Sequence, residues 1–377
     1  MRPVDDSYVS AVLREEKFFR KKLDVDFWST VYIGGGTPSL LSCGQLEKLL
    51  RGVKAFSSKE VTVEVNPESL TESFIKTFLN NGGTRISMGV QSLNEASLSL
   101  VHRHCSLQKT KEALELVRSF KNNSFSLNLD VIAGLPGLTD EAFVKSLKEI
   151  ISYFPEHISM YTLTLEENTP LYKRIEEGEK WSEENADSQW LLGRDILFSL
   201  GYRQYEVSNF SKNGFESIHN FSYWKQEDYV GLGCAACGSL YGKEGVRFEN
   251  THNISEYIDF WTNFNLEAME ENAVSFIKKS GVFTTESLSP ETEEFEFLMM
   301  GLRTLRGCSQ NEYKRRYSSV LPWKGSLKTR LGLEAGLWKD YLEKGWARVE
   351  EIKDDIYYSL SEEGILFLNK VLQNLLT

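Results

Sequence analysis

Over its first two hundred residues the chain alternates short apolar or β-branched runs with longer amphipathic stretches. That pattern is expected of a parallel sheet whose strands are joined by crossover helices. The spacing predicts helix 6–23, strand 31–33, helix 45–55, strand 61–65, helix 72–79 and strand 85–90. It then predicts helix 109–120, strand 126–132, helix 140–153, strand 158–165, helix 185–200 and strand 204–207. These units recur about every 30 residues, as βαβ units do. Because the pattern opens on a helix, the reading is an α/β fold of partial (β/α)6 barrel type that lacks its first strand.

After Phe210 the rhythm stops, and three segments follow from the pattern. Residues 1–215 read as the partial barrel, 216–270 as an aromatic and glycine-rich connection, and 271–377 as a helical, winged-helix-like region. Within the last, Glu291, Glu293, Glu294 and Glu296 interleave with Phe295, Phe297, Leu298 and Met299, which predicts a helix with a solvated acidic face. The tail runs helix, two-strand hairpin, helix, with strands around Trp346–Val349 and Ile356–Leu360.

Each predicted strand ends in a small or polar cluster, where parallel β/α barrels carry their chemistry. Gly34-Gly35-Gly36-Thr37-Pro38 follows the first strand, and its glycines permit a tight turn or a close backbone approach to a ligand. It lacks both GxGxxG and the Gly-Lys-Ser/Thr of a phosphate loop. Glu64, Gln91 and Asp130 stand at successive strand ends, a set suited to a ligand with amine and hydroxyl donors. His219 opens the run HNFSYW, and beside Tyr223 and Trp224 it suits either an axial ligand in an aromatic pocket or a hydrogen-bonded structural role. His102 and His104, at i, i+2 spacing, do not share a helical face, and no GxSxG nucleophile elbow is present.

Composition narrows the partners. With 54 acidic and 43 basic residues the net charge is −11, which disfavours a nucleic-acid partner. No apolar run reaches the roughly 18 residues of a membrane span, and no signal-peptide pattern opens the chain, so a cytoplasmic protein is expected, with peripheral membrane association left open. The five cysteines are too few for a secreted disulfide framework. Only Cys234 and Cys237 stand at CxxC spacing; they read as a structural pair in a glycine loop, or alternatively as a redox couple or metal half-site.

Taken together, YIGGGTPSLL, VEVNPES, RISMGVQS, LDVIAGLPG, HNFSYW and YVGLG resemble the radical-SAM coproporphyrinogen oxidase-like superfamily, and within it the HemW-type heme chaperones. The resemblance runs from about residue 5 through the C-terminal unit. It implies a radical-SAM-type barrel and contacts to S-adenosylmethionine from Gly35, Gly36, Thr37, Glu64, Gln91, Arg103 and Asp130. It makes His219 a candidate heme contact. Arg103 would pair with the ligand's carboxylate as a charge-assisted partner. The family's [4Fe-4S] cluster is held by a CxxxCxxC motif that this sequence does not contain, so no residue is assigned as a metal ligand. Where the family has a His in its GAH segment, this chain has Cys237.

The expected function is therefore binding of heme and S-adenosylmethionine, with delivery of heme to an acceptor protein. Two alternatives are an oxygen-independent coproporphyrinogen III oxidase that has lost its N-terminus, and a cluster-less scaffold derived from such an enzyme.

Overall fold

The computed structural model describes residues 4–101, 106–121, 125–178, 180–266, 271–319, 326–333 and 336–376. In chain order they begin with α1 (Asp6–Lys22), β1 (Thr30–Ile33), α2 (Cys43–Gly52), β2 (Glu60–Val65), α3 (Glu72–Asn80), β3 (Arg85–Gln91) and α4 (Glu95–Leu100). Then come α5 (Leu107–Ser119), β4 (Ser126–Ala133), α6 (Asp140–Ile151), β5 (His157–Thr162), α7 (Pro170–Glu176), α8 (Glu183–Ser199), β6 (Arg203–Gln204) and β7 (Asn209–Ser211). The remainder is α9 (Ile218–Trp224), β8 (Cys237–Leu240), β9 (Val246–Asn250), α10 (Ile254–Asn263), α11 (Ala273–Lys279), β10 (Phe283–Ser287) and α12 (Pro290–Gly301). It closes with β11 (Cys308–Ser309), α13 (Gln310–Tyr317), α14 (Leu327–Arg330), α15 (Leu337–Glu343), β12 (Ala347–Ile352), β13 (Asp355–Leu360) and α16 (Leu368–Leu376).

The described chain forms two compact units. The first, built on residues 28–204 and 208–217, is α/β with one mostly parallel sheet in the order β1-β2-β3-β4-β5-β7-β6. Its helices start where the sequence supplies a cap. Ser42, Thr71, Asn94, Ser106, Thr139, Thr169 and Ser182 each accept a backbone N–H of the first turn that follows. Such caps stabilise a helix by about 1 kcal/mol each. α2, α3, α5, α6 and α8 then bury their apolar faces. Gly193 of α8 lies so close to Met160 and Phe143 that an added Cβ would meet the Met160 sulfur at 2.6 Å.

The strand expected over 204–207 takes a different form. β6 ends at Gln204 and runs antiparallel to β7, which runs antiparallel to β5. β6 thus keeps the direction of a returning β/α strand, but β7 is inserted between it and β5. The physical cause is the fate of Tyr205–Val207, which leave the sheet and belong to the second unit, with Glu206 bridged to Thr304. The chain re-enters at Ser208, whose carbonyl accepts from Met160 N at 2.8 Å.

The second unit comprises residues 5–27, 205–207 and 218–377. It contains α1, which the sequence pattern reads as the helix of the first β/α repeat. Phe18 of α1 lies 5.7 Å from Trp261 and 4.3 Å from Phe276, while Phe19 stacks on Phe248 at 5.7 Å. In this aromatic cluster both Phe18 and Phe19 are buried. Residues 216–270, read as a connection, form α9, α10 and two strands of the antiparallel sheet β10-β9-β8. The tail folds as expected: β12 and β13 form a hairpin through Lys353 and Asp354, both at positive φ, and β11 pairs on its other side. Trp338, Tyr313, Leu360 and Val371 are fully buried in its core.

The solvated acidic face expected on α12 is overturned. Glu291 is exposed, but Glu293, Glu294 and Glu296 are buried. Each meets a donor that compensates its desolvation: Arg330 Nε lies 3.0 Å from Glu294 and Arg247 Nη2 2.5 Å from Glu296, and Gly242 N donates to Glu293 at 3.1 Å.

Candidate functional site at the strand ends

The two faces of the parallel sheet differ in chemistry. On one face Val61, Val63, Ile86, Met88, Leu127, Leu129, Ile158 and Met160 are buried under helices. The alternate positions are polar: Glu60, Thr62 and Glu64 on β2, Arg85 and Ser87 on β3, Asn128 and Asp130 on β4, His157 and Ser159 on β5. The register aligns Glu64, Ser87, Asn128 and His157 in one row, and Gly89, Asp130 and Ser159 in the next. Since side chains alternate along a strand, this polar face is as much a product of period two as the apolar one.

Asn128 is the centre of this face. Its Nδ2 donates to Ser87 Oγ at 2.8 Å and to Asp130 Oδ1 at 2.7 Å, so its Oδ1 is the acceptor for Ser159 Oγ at 3.1 Å. His157 Nδ1, 2.5 Å from the same oxygen, therefore carries the proton there. Burial, aided by the Arg85 charge, pushes His157 well below the usual histidine range and keeps the ring neutral. Burial also raises the Asp130 carboxyl to about 6, against the hydrogen bonds from Asn128 and Ser159.

At the next strand end Glu64 is held by two neutral donors, Tyr32 OH at 2.6 Å from Oε1 and Gly35 N at 3.2 Å from Oε2. The three glycines have distinct reasons. Gly34 lies against the Tyr32 ring and the Glu64 carboxyl, where an added Cβ would meet the ring at 2.7 Å. Gly35 and Gly36 have open space but sit at φ +78° and +59°, where side chains are strained. Thr37 Oγ1 accepts from Asn66 Nδ2 at 3.3 Å. Gln91, buried at φ +67°, follows an irregularity in the β3–β4 register between Gly89 and Gln91, a device that re-aims a side chain at a strand end.

The structure thus brings Gly35 and Glu64 into direct contact, and places Asp130 on β4 opposite Gly89, with Gln91 at the end of β3 opposite Val131. Arg103, with His102 and His104, lies outside the described residues. His219 belongs to the second unit, on α9, where its Nε2 is 3.1 Å from Tyr223 OH and the rings meet edge to face at 5.0 Å. Sequence reasoning passed over Tyr32, Asn128, His157 and Ser159. The signal that marks them is polar residues at every second position inside strands that are otherwise apolar.

Residues 11–150 match the radical SAM superfamily model. Heme chaperone HemW of Lactococcus lactis is 32% identical over 321 residues, covering 83% of this chain and 77% of that protein. Heme chaperone HemW of Bacillus subtilis is 30% identical over 378 residues, covering 98% and 91%. Among solved structures, the Escherichia coli coproporphyrinogen III oxidase HemN, described as a radical SAM enzyme, aligns with TM-score 0.71 at 16% identity over 98% of this chain and 82% of that one, which is a likeness of fold. The sheet, its strand-end site and the superfamily match define a radical SAM protein. Within that superfamily the chain belongs to the HemW heme chaperone family.

The superfamily implies S-adenosylmethionine and a [4Fe-4S] cluster. The open glycine turn and the strand-end carboxylates fit the first. The residues present do not fit the second: of the five cysteines only Cys43 and Cys105 fall within the first unit's residues 28–204, short of three thiolates. Among the described residues no group of three or more His, Cys, Asp or Glu side chains is arranged to hold a metal ion. Likewise, among the described residues, no helix is long and apolar enough to cross a membrane.

Proposed function

We propose that this protein is a heme chaperone that binds S-adenosylmethionine at the ends of β1 to β4 and heme through the α9 segment, and that it passes the heme to an acceptor protein. The observation that carries the reading is Glu64, a strand-end carboxylate held by Tyr32 and the Gly35 amide with no cationic partner among the described residues. An ammonium group is the ligand such an acceptor favours. Asp130 is an acceptor for ribose hydroxyls once ionised, and Gln91 and Arg103 complete the set by resemblance. Gly35, Gly36 and Thr37 let backbone approach the amino acid portion of the ligand without side-chain obstruction.

For heme, the support is the family membership and the aromatic character of α9, where Phe221, Tyr223 and Trp224 follow His219. Tyr223 orients the His219 ring, and burial holds the Tyr223 phenol up at about 12, so it stays a donor at neutral pH. An aromatic segment with one oriented imidazole suits a flat macrocycle with an axial position. Because this chain's cysteines do not fit the cluster, no electron-transfer step is drawn for it, and the reading is one of binding.

Calorimetric titration with S-adenosylmethionine tests the first half. Glu64→Gln is expected to weaken binding about tenfold, equivalent to about 1.4 kcal/mol, with the unfolding midpoint unchanged. Soret-band titration tests the second, where His219→Ala is expected to lose the ligand-field signature of the bound heme. Wild-type protein that binds neither ligand would overturn the reading. A second reading, a scaffold without redox chemistry, is favoured by the two-cysteine content of the first unit. It predicts S-adenosylmethionine binding with no deoxyadenosine formed under a strong reductant.

A further inference from the structure

Cys234 and Cys237 stand on a turn whose successive amides are all engaged. Gly233 N donates to Glu15 Oε2 at 2.8 Å, Cys234 N to Tyr8 OH at 3.1 Å, Ala235 N to Thr251 O at 3.0 Å and Ala236 N to Gly233 O at 3.1 Å. Ala235 sits at φ +59°, a conformation retained by a non-glycine residue only where its surroundings over-determine it. The turn is therefore a rigid mount for its two thiols.

Both thiols are presented to the same neighbouring stretch of chain. Cys237 opens β8 and is paired with Glu249 of β9, while Cys234 Sγ donates to the carbonyl of Thr251, two residues further on, at 3.1 Å. Both are free thiols, Cys237 exposed and Cys234 half-buried. Burial raises both, so the reduced pair is two neutral thiols at neutral pH. The remaining cysteines are remote in sequence, and Cys308 is fully buried. The two cysteines stand at the Cys-x-x-Cys spacing of dithiol–disulfide pairs.

We propose that Cys234 and Cys237 form a thiol–disulfide exchange site, closing a reversible intramolecular disulfide against a small-molecule disulfide of the glutathione class. In the first step the exposed Cys237 thiol loses its proton, attacks one sulfur of the small disulfide and expels one thiolate. The Cys234 thiol then loses its proton and attacks the Cys237 sulfur, expelling the second thiolate. The two protons released are taken up by the two departing thiolates. The protein pair is oxidised by two electrons and the small disulfide is reduced by two.

The sequence makes the test direct, because trypsin releases both cysteines on one peptide, Gln226–Lys243, which contains no other cysteine. The full chain is incubated with glutathione disulfide or with dithiothreitol, denatured, alkylated with N-ethylmaleimide, digested and weighed. The reduced sample is expected to carry two alkyl groups on this peptide. The oxidised sample is expected to carry none, with the peptide intact and lighter by two hydrogens, and dithiothreitol is expected to restore both. In Cys234→Ser, glutathione is expected to remain on Cys237, since the resolving thiol is gone. A wild-type peptide that stays doubly alkylated, or that retains glutathione on Cys237, overturns the proposal. None of these readouts depends on heme or S-adenosylmethionine binding.

Discussion

In the first unit Glu64 and Asp130 are held by neutral donors, whereas in the second Glu294, Glu296 and Glu312 are held by guanidinium groups. Tyr32, the Gly35 amide, Asn128 and Ser159 serve the former. Arg330 and Arg247 serve Glu294 and Glu296, while Arg315 and Arg316 hold the Glu312 carboxyl down at about 2. A neutral donor orients a carboxylate without cancelling its charge, so the group retains attraction for an incoming cation or hydroxyl. A guanidinium cancels that charge and leaves little attraction for a further cation. The difference distinguishes the proposed ligand-binding carboxylates from the ion-paired ones of the second unit, where residue type alone does not.

The largest expected effect lies on the structural side. Arg330→Ala leaves the buried Glu294 with the Tyr313 hydroxyl but without a cation to compensate it, and removes a bond to the Leu375 carbonyl. Stability should fall by about 3 kcal/mol, read as a lower midpoint in urea, while S-adenosylmethionine affinity stays as in wild type. An equal loss from Glu64→Gln would erase the contrast between the two kinds of carboxylate.

Glu15 sharpens the comparison, because it is a second-unit carboxylate that, among the described residues, is held by neutral donors: Asn250 Nδ2 at 2.7 Å, Tyr257 OH at 2.5 Å and Gly233 N. Burial raises it to about 7, so the folded state holds its proton more tightly than the unfolded chain. Its contribution to stability is then full below the unfolded value of about 4.5 and is lost as pH rises through about 7. The fall amounts to about 3 kcal/mol. Denaturation curves between pH 4.5 and 7.5 should show this decline in wild type and a flatter profile in Glu15→Gln. A rise in the wild-type contribution over that range would contradict the assignment.

The smallest effect is expected at Gly35→Ala, where space is open and only the positive φ resists the new side chain. The strain is about 1 kcal/mol. It should appear mainly as weakened S-adenosylmethionine binding, because the Gly35 amide is one of the two donors that orient Glu64. A urea midpoint lowered slightly, in line with that strain, together with reduced affinity in the same calorimetric titration, is the expected pair of results.

Much of this was legible before the structure. The helix over α3 was expected at 72–79 and spans Glu72–Asn80; the strand expected at 126–132 spans Ser126–Ala133. The strand-end positions of Glu64 and Asp130 followed from the same count. Less visible was the support beneath them. Asn128 and His157 look unremarkable in sequence, and their importance comes from sharing one row across four strands, which is a property of register. The acidic residues of α12 were misread because alternating charge and apolar character describes a surface helix equally well until Arg330 and Arg247 arrive from distant positions.

By itself the sequence determined most of the strands and helices of the first unit, which of its strand ends carry glycine, carboxylate and amide, and to which family the motifs belong. These depend on periodicity, caps and short-range order, which are local. The tertiary structure decided that α1 joins the second unit, that β7 enters the sheet beside β5, and that three glutamates of α12 are buried. Each depends on groups far apart in the chain, and the free energy that fixes them, aromatic burial for α1 and charge compensation for α12, exists only once those groups meet.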